Sequence, residues 1–258
     1  MQNHGYLIDM DGVIYRGSAP IPGAAEFISY LQEESIPYLF LTNNSTYTAL
    51  DVVVKLRKFA IETSVDHVYT SAMATAAFVS RQKPDGTAFV IGEGGLLTAL
   101  NEVNYAITSE SPDYVIVGEG RVLNFELAEK AHRCIAGGAR LVSTNADTWC
   151  PTDGGPRPGC GAIVALLESA TGRKAYHVGK PNPFMMREAR KRIGLRTDEV
   201  IMIGDTMETD IRGATDLGYQ SILVLTGSTT TEELRHYPFR PTRIVESIAE
   251  MVPALVGA

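Results

Sequence analysis

Two acidic residues stand close together at the end of an apolar segment near the amino terminus. In "GYLIDMDGVIYRG", Asp9 and Asp11 follow Tyr6, Leu7 and Ile8, a run that is typical of a buried strand. Side chains at positions i and i+2 of a strand point to one face, so the two carboxylates could share a site. Because an unpaired buried charge is unfavourable, such groups are paired, neutralised or bound to a metal ion. The pair therefore predicts a site whose other members come from elsewhere in the chain.

Polar residues also follow three other predicted strands. They are Thr42, Asn43 and Asn44 after "IPYLFL", Lys180 after "AYHVG", and Asp205 and Asp210 in "GDTMETD" after "VIMIG". In open parallel sheets, ligands bind beyond the carboxyl ends of the strands. If these strands are neighbours, one edge of the sheet collects carboxylates, a hydroxyl and an ammonium group.

This set of residues suits phosphoryl transfer. Asp9 and Asp205 offer the hard oxygen ligands that Mg²⁺ prefers. Lys180 and the hydroxyl of Thr42 would neutralise the charge that spreads over a transferring phosphoryl group. One aspartate of the first pair could attack phosphorus while the other moves protons to and from the leaving oxygen, which favours a covalent aspartyl-phosphate route. Gly12 fits a tight turn where the backbone approaches an anion.

Each of these features also has a purely structural explanation. An acid pair after a strand is common, and Asn43–Asn44 suits a turn. Lys180 precedes prolines that can start a helix, and acids such as Asp205 and Asp210 are favoured at helix entries. The occurrence of all four features in order, each after an apolar strand, favours catalysis over the separate structural explanations.

The composition sets the class of protein. The chain has 258 residues, 45% hydrophobic and 21% charged, which suits one large globular domain or two modest ones. A net charge of −7 and a pI near 5.3 argue against a nucleic-acid surface. The sequence shows no apolar stretch of membrane-spanning length and no secretion signal, and its three cysteines lack CxxC spacing. We therefore expect a soluble cytoplasmic protein without a membrane or nucleic-acid partner.

Short apolar strands alternate with helix-like segments along the chain, which predicts an α/β fold with a mainly parallel sheet. The predicted strands are "YLI", "IPYLFL", "HVY", "TAFVIG", "DYVIVG", "ARLVST", "AYHVG", "VIMIG" and "SILVL". The predicted helices are "GAAEFISYLQEE", "SAMATAAFVSRQ", "NFELAEKAHRCIAGG", "PFMMREARKRIG" and, despite its valines, "ALDVVVKLRKFA".

The middle of the chain differs from its flanks in its glycine-rich turns. "FVIGEGGLLTAL" and "VIVGEGRVLNFEL" resemble each other as strand–turn–helix units, and neither contains a full GxGxxG fingerprint. "CPTDGGPRPGCG" is predicted to be a loop, and a packing role is favoured for the neighbouring Trp149. These features predict a second α/β domain over residues 83–175, inserted between two parts of a core domain, 1–82 and 176–258.

The motifs "DMDGVIYRG", "LTNNST", "VGKPNP" and "GDTMETDI" resemble the four motifs of the haloacid dehalogenase (HAD) superfamily of phosphohydrolases. More narrowly, the chain is similar to the NagD-like and p-nitrophenylphosphatase-like group over nearly its whole length, through "PGAAEFI", "YTSAMATAAF", "VIVGEG", "TNADT", "PGCGAI" and "ILVLTG". The resemblance implies a Rossmann-like core with a mainly parallel sheet and a large α/β cap inserted between the second and third motifs.

The resemblance also implies residue roles. Asp9 would be the nucleophile and Asp11 the general acid/base, Thr42 would bind the phosphoryl group with help from the backbone near Asn43, and Lys180 would steady nucleophile and phosphate. The implied magnesium set is Asp9, Asp11 through its main-chain oxygen, Asp205 and Asp210, the last orienting Lys180 or a metal-bound water. The implied substrate-binding set is Gly12, Asn43, Asn145 and Asp147. Relatives often carry Asn-Pro-Asp where this chain has Asn145-Ala146-Asp147.

The leading hypothesis is a Mg²⁺-dependent phosphomonoester hydrolase that acts on small metabolites such as UMP or sugar phosphates, with p-nitrophenyl phosphate as an artificial substrate. The alternatives are a phosphomutase or phosphotransferase, and a catalytically silent binding protein that kept the fold. The presence of Asp9, Asp11, Lys180 and Asp205 argues against the silent protein. A homodimer through the cap is a further expectation.

Overall fold

The computed structural model describes residues 4–150, 152 and 154–252. It divides into two compact units. Unit 1 contains residues 4–42, 50–69 and 180–252, and unit 2 contains residues 43–49 and 70–179. The predicted boundaries at residues 83 and 175 remain a prediction; unit 2 begins earlier and also includes the segment that follows Thr42.

Strands and helices alternate along the described chain. The strands are β1 (Gly5–Ile8), β2 (Tyr15–Arg16), β3 (Ala19–Pro20), β4 (Tyr38–Thr42), β5 (Val68–Thr70), β6 (Thr87–Ile91), β7 (Ala106–Ile107), β8 (Tyr114–Val117), β9 (Arg140–Ser143), β10 (Trp149–Cys150), β11 (Arg157–Pro158), β12 (Tyr176–His177), β13 (Val200–Gly204), β14 (Gln220–Val224) and β15 (Arg243–Val245). The helices are α1 (Ala24–Glu33), α2 (Ala49–Arg57), α3 (Ser71–Gln82), α4 (Gly94–Glu102), α5 (Phe125–Ala136), α6 (Cys160–Thr171), α7 (Pro183–Arg192) and α8 (Arg212–Leu217). Short 3₁₀ turns cover Val65–His67, Thr197–Glu199, Glu233–His236 and Ile248–Met251, and a π-helical turn covers Met207–Ile211.

A six-stranded sheet forms the centre of unit 1, in the order β15-β14-β13-β1-β4-β5. β1 lies between β13 and β4 and is parallel to both, with Ile8 opposite Ile203 and Phe40. All residues of β4 and β13 are buried. Such continuous apolar runs are typical of parallel strands covered on both faces. The arrangement brings the carboxyl ends of β1, β4 and β13 to one edge of the sheet.

Unit 2 has its own five-stranded parallel sheet, in the order β12-β9-β8-β6-β7. Helices α5 and α6 cover it, and their apolar residues form one cluster with those of β6, β8 and β9. On α5 the buried residues are Ala128, Ala131 and Ile135. Because this spacing follows the helical period, one side of α5 meets the sheet while the other carries charges. The predicted α/β class with mainly parallel sheets is confirmed.

The structure differs from the sequence predictions in several elements. The strand predicted before Lys180 pairs with β9 of unit 2, so it is not a neighbour of β1. The predicted loop "CPTDGGPRPGCG" contains strand β11 and the start of α6, and β10 pairs with β11 as an antiparallel hairpin. Within that loop, residues 151 and 153 lie outside the described residues. The other elements that were not predicted from the sequence are helices α6 and α8 and the short strands β2, β3, β7 and β15.

Among the helices of the described residues, none has the length and apolar character needed to cross a membrane.

Candidate active site

Asp9 occupies the first position after β1, where the strand ends between β13 and β4. Its backbone N–H donates to the carbonyl oxygen of Ile203 at 2.8 Å, which continues the sheet ladder by one residue. Its side chain is buried and one carboxylate oxygen, Oδ1, lies 2.6 Å from Lys180 Nζ. The sheet therefore fixes the backbone of Asp9, and an ion pair fixes its carboxylate.

Lys180 links two carboxylates. Its Nζ lies 2.6 Å from Asp9 Oδ1 and 2.7 Å from Asp210 Oδ1, and its side chain is only 2% exposed. Burial by itself lowers the pKa of Lys180, but the charges of Asp210 and Asp9 outweigh burial, so the net pKa lies above its ordinary value. The ammonium group therefore stays charged between the two acids. Lys180 reaches them although the strand before it belongs to unit 2.

Hydrogen bonds from backbone N–H groups and one hydroxyl hold Asp205 and Asp210, which follow β13. The N–H of Ser228 donates to Asp205 Oδ2 at 2.6 Å, and the hydroxyl of Thr206 donates to Asp205 Oδ1 at 3.0 Å. Asp210 lies in the π-helical turn and accepts the N–H of Thr206 at 3.2 Å. Single π-turns are frequent at functional sites, and this one places Asp210 Oδ1 2.7 Å from Lys180 Nζ.

The three buried acids can hold a metal ion. Asp9, Asp205 and Asp210 each offer one carboxylate oxygen, and these oxygens lie within 4.8 Å of one another. Burial, followed by the charge of Asp210, raises the pKa of Asp9, and burial likewise raises that of Asp210. Three carboxylates around one ammonium group leave a surplus of negative charge, which a hard divalent cation would offset. The oxygen-only donor set fits such a cation.

Asp11 lies beside the cluster, and its side chain keeps exposed surface. Burial raises the pKa of Asp11, and the charge of Lys55 opposes that rise. The Nζ of Lys55 also lies 3.4 Å from the centroid of the Tyr15 ring, a cation–π arrangement. The sequence reading did not find Lys55, because only the packing of α2 brings this residue to the aspartate pair.

Gly12 and Thr42 complete the residues of unit 1 that were singled out from the sequence. Gly12 has a φ of +79°, and a Cβ there would meet Asp205 Oδ2 at 2.6 Å and Gly227 Cα at 2.8 Å. Its glycine is therefore required by a left-handed turn and by contact with Asp205. Thr42 is buried at the end of β4, the strand next to β1.

The other predicted residues form a second polar group, within unit 2. Asn145 is fully buried; its Nδ2 donates to the carbonyl oxygen of Asn43 at 2.8 Å, and its Oδ1 accepts the N–H of Asp147 at 3.0 Å. Asn43 Nδ2 in turn donates to Asp147 Oδ2 at 3.0 Å. The structure thus gathers Asn43, Asn145 and Asp147, and it places Ala146, the departure from the usual motif, in an exposed turn between them.

Three further side chains of unit 2 differ in their surroundings. Cys160 is fully buried, and burial raises the pKa of its thiol to about 11. His177 has Nδ1 2.6 Å from the hydroxyl oxygen of Ser143 on β9. The packing role favoured for Trp149 is wrong, because this residue is 57% exposed on strand β10 of the hairpin.

An acidic cluster beside a buried ammonium group, at the carboxyl edge of a parallel sheet, suits the binding of a divalent cation and a phosphoryl group. The chain belongs to the haloacid dehalogenase-like hydrolase family. Residues 6–106 match the family model described as haloacid dehalogenase-like hydrolase, and residues 177–251 match the model described as HAD-hydrolase-like.

Similar proteins cover nearly the whole chain. The dihydroxyacetone phosphatase of Corynebacterium glutamicum (strain R) is 41% identical over 96% of this chain and 90% of its own length. The ribonucleotide monophosphatase NagD of Escherichia coli (strain K12) is 38% identical over 95% of this chain and 96% of its own length. The solved structure of the p-nitrophenyl phosphatase from Archaeoglobus fulgidus has a TM-score of 0.92 at 36% identity, covering 98% of this chain and 100% of that one. The predicted NagD-like and p-nitrophenylphosphatase-like group, and with it a phosphatase of the HAD superfamily, are confirmed.

Proposed function

We propose that this phosphatase is a Mg²⁺-dependent phosphomonoester hydrolase that forms a covalent aspartyl-phosphate on Asp9. The observation that carries the proposal is the buried contact of Lys180 Nζ with both Asp9 and Asp210, at 2.6 and 2.7 Å, beside Asp205. This contact holds one carboxylate oxygen of Asp9 in place. A nucleophile fixed in this way loses little orientational freedom when it attacks.

The proposed reaction has two steps. First, a carboxylate oxygen of Asp9 attacks phosphorus, the bond from phosphorus to the leaving oxygen breaks, and Asp11 gives its proton to that oxygen. Second, Asp11 takes a proton from water, the water oxygen attacks the phosphorus of the aspartyl-phosphate, and inorganic phosphate leaves with the Asp9 carboxylate restored. Lys180 and Thr42 would neutralise the phosphoryl oxygens during both steps.

Asp9, the main-chain oxygen of Asp11, and Asp205 would hold the Mg²⁺ ion, with Asp210 oriented by Lys180 next to them. When bound, the ion supplies a positive charge that lowers the repulsion between the phosphate dianion and the carboxylates. The surplus of carboxylates over ammonium groups in the cluster supports this assignment.

We infer that the substrates are small phosphorylated metabolites, with nucleoside monophosphates and sugar phosphates as the first candidates. The names of the two curated relatives support this class, since one is a dihydroxyacetone phosphatase and the other a ribonucleotide monophosphatase. Gly12, Asn43, Asn145 and Asp147 are the residues that we assign to substrate binding. A cytoplasmic location and a dimer through the cap remain predictions from the sequence.

The test is release of inorganic phosphate from UMP, a sugar phosphate and p-nitrophenyl phosphate, measured with Mg²⁺ or with EDTA. The variant is Asp9→Asn, and its matched control is Asp216→Asn, an exposed aspartate of α8. We expect release that needs Mg²⁺, is lost by at least about 10³-fold in Asp9→Asn, and is unchanged in the control. Full activity of Asp9→Asn would contradict the nucleophile assignment. Retention of labelled phosphate on product would instead favour a phosphomutase.

A further inference from the structure

Unit 2 contains a buried carboxylate that the proposed reaction does not use. Glu119 lies two residues beyond β8, and it is only 6% exposed. Its Oε2 forms an ion pair with Arg157 Nη2 at 3.3 Å, and its Oε1 accepts from Cys150 Sγ and Asn145 Nδ2, both at 3.4 Å. Burying a carboxylate is unfavourable unless its oxygens are paired and hydrogen-bonded, and these three partners supply that pairing.

Two of the contacts of Glu119 lead to the segment that follows Thr42. Its backbone N–H donates to Ser45 Oγ at 2.8 Å, and Ser45 is fully buried. Its carboxylate accepts from Asn145, whose Nδ2 also donates to the carbonyl oxygen of Asn43 at 2.8 Å. Glu119 is therefore connected to both ends of residues 43–45, through its main chain at one end and its side chain at the other.

The remaining contacts lead to the hairpin of β10 and β11. Cys150 stands on β10 and Arg157 stands opposite it on β11, so the carboxylate binds both strands of the hairpin. The same hairpin carries the exposed Trp149, and its chain leads back through residue 148 to Asp147. One buried side chain thus holds the hairpin and the Asn145–Asp147 turn in a fixed relation to residues 43–45.

We propose that Glu119 is a positioning residue that locks the substrate-binding residues Asn43, Asn145 and Asp147 to the β10–β11 hairpin, and so sets how tightly the enzyme binds its phosphomonoesters. The inference rests on the proposed function for its kinetic part. Its structural part, the lock itself, can be measured without any substrate.

The charge of Glu119 is the essential property. Its oxygens face one guanidinium, one amide N–H and one thiol, and all three donate to a carboxylate. Burial, followed by the charge of Glu119, raises the pKa of the Cys150 thiol to about 12. A glutamine has nearly the same shape, but its NH₂ group cannot accept from Arg157, and it removes the charge that suppresses the thiolate.

The structural test compares Glu119→Gln with Glu129→Gln, which removes an exposed carboxylate of α5 paired with Arg133. The measurement is the alkylation rate of each cysteine at fixed pH, read at the level of peptides by mass spectrometry. In Glu119→Gln we expect Cys150 to react about tenfold faster, as one unit in the pKa of a thiol implies. Cys134, which lies on α5, provides the internal reference and should not change. An unchanged Cys150 rate would overturn the proposal that Glu119 holds the hairpin.

The kinetic test uses the same variants with UMP and p-nitrophenyl phosphate. In Glu119→Gln we expect KM to rise about threefold to tenfold while kcat stays within about twofold, because binding is loosened and the Asp9 chemistry is not touched. Arg157→Gln removes the ion pair with Glu119 by changing its more exposed partner. It should give the same rise in KM, and it provides the test if Glu119→Gln fails to fold.

Unchanged KM values together with a faster Cys150 would overturn the kinetic part, since the hairpin would then be loosened without effect on binding. A wild-type protein that releases no phosphate would contradict the proposed function, and with it the kinetic part. The alkylation rates would still show whether Glu119 holds the hairpin, so the two failures are distinguishable.

Discussion

At the scale of single residues, Gly12 gives a sharp prediction because its backbone touches the acidic cluster. Replacing Gly12 with alanine forces a side chain into a left-handed turn and places its Cβ 2.6 Å from Oδ2 of the Asp205 carboxylate. We expect kcat/KM for phosphate release to fall by about 100-fold, because a shift of about 1 Å in a catalytic group can reduce the rate by that factor. The unfolding free energy should fall by roughly 2 kcal/mol, measured by urea denaturation.

Gly194→Ala separates the two contributions. Gly194 has a φ of +70°, close to that of Gly12, but nothing lies within 4 Å of the position of its Cβ. It should lose about 1 kcal/mol of stability from the backbone strain and keep its activity within about twofold. Equal losses of activity in both variants would show that contact with Asp205 is not what requires glycine at position 12.

The residues of the candidate site differ in how far the sequence could predict them. Asp9, Thr42 and Asp205 were predictable, because each follows an apolar run and parallel strands end at one edge. The prediction of Lys180 rests on a partly wrong premise, because the strand before it belongs to the other sheet and its long side chain makes the contact with Asp9. Lys55 lies on a helix, and its nearness to Asp11 depends on tertiary packing that leaves no local signal.

At the scale of elements, the same distinction holds. Helix α3 was predicted over its observed span, residues 71–82, because the segment is rich in helix formers, and Thr70 caps it by accepting the N–H of Met73. The β10–β11 hairpin was not predicted, because its strands have two residues each and carry no apolar alternation. Its position is fixed by Glu119 and Arg157, which are distant in sequence. Short elements that are held by such contacts cannot be predicted from the local sequence pattern.

Asp113 joins two strands of unit 2 and gives a pH-dependent prediction. Its Oδ2 accepts the N–H of Thr87 at 2.9 Å and the Thr87 hydroxyl at 3.1 Å, and Oδ1 pairs with the Lys83 ammonium. The hydrogen bond from Lys83, followed by the N–H of Thr87, holds the pKa of Asp113 below its ordinary value. The ionised carboxylate therefore stabilises the starts of β6 and β8.

The sign of the effect follows from that direction. Because the folded pKa lies below the unfolded value of about 3.9, the stabilisation is complete above that value and is lost as the pH falls through it toward the folded pKa. We expect Asp113→Asn to lower the unfolding free energy by about 1 kcal/mol at pH 7, with a difference from wild type that shrinks below about pH 4. Urea denaturation between pH 3.5 and 7 measures it. A difference that grows in acid would contradict the assignment.

At the scale of the whole molecule, the net charge of −7 attracts divalent cations without any particular site, so binding of Mg²⁺ alone does not identify the acidic cluster. A specific site must stabilise the folded chain through named residues. An ion that binds only the folded state at 100 times its Kd adds about 2.7 kcal/mol of stability. For a chain of this size, that gain corresponds to a rise in Tm of roughly 5 to 10 °C.

We expect this rise for the wild-type protein when MgCl₂ replaces EDTA in differential scanning calorimetry, with NaCl added to equal ionic strength. The transition that shifts should be the one that involves unit 1, because Asp9, Asp205 and Asp210 all belong to that unit. Asp205→Asn should remove most of the shift, since it takes one charged oxygen donor from the cluster, whereas Asp216→Asn, on the exposed side of α8, should keep it. If Asp205→Asn gained as much stability from Mg²⁺ as the wild type, the ion would be binding through the overall negative charge. The assignment of the metal to the edge of the β1–β13 sheet would then be wrong, whatever the activity measurements gave.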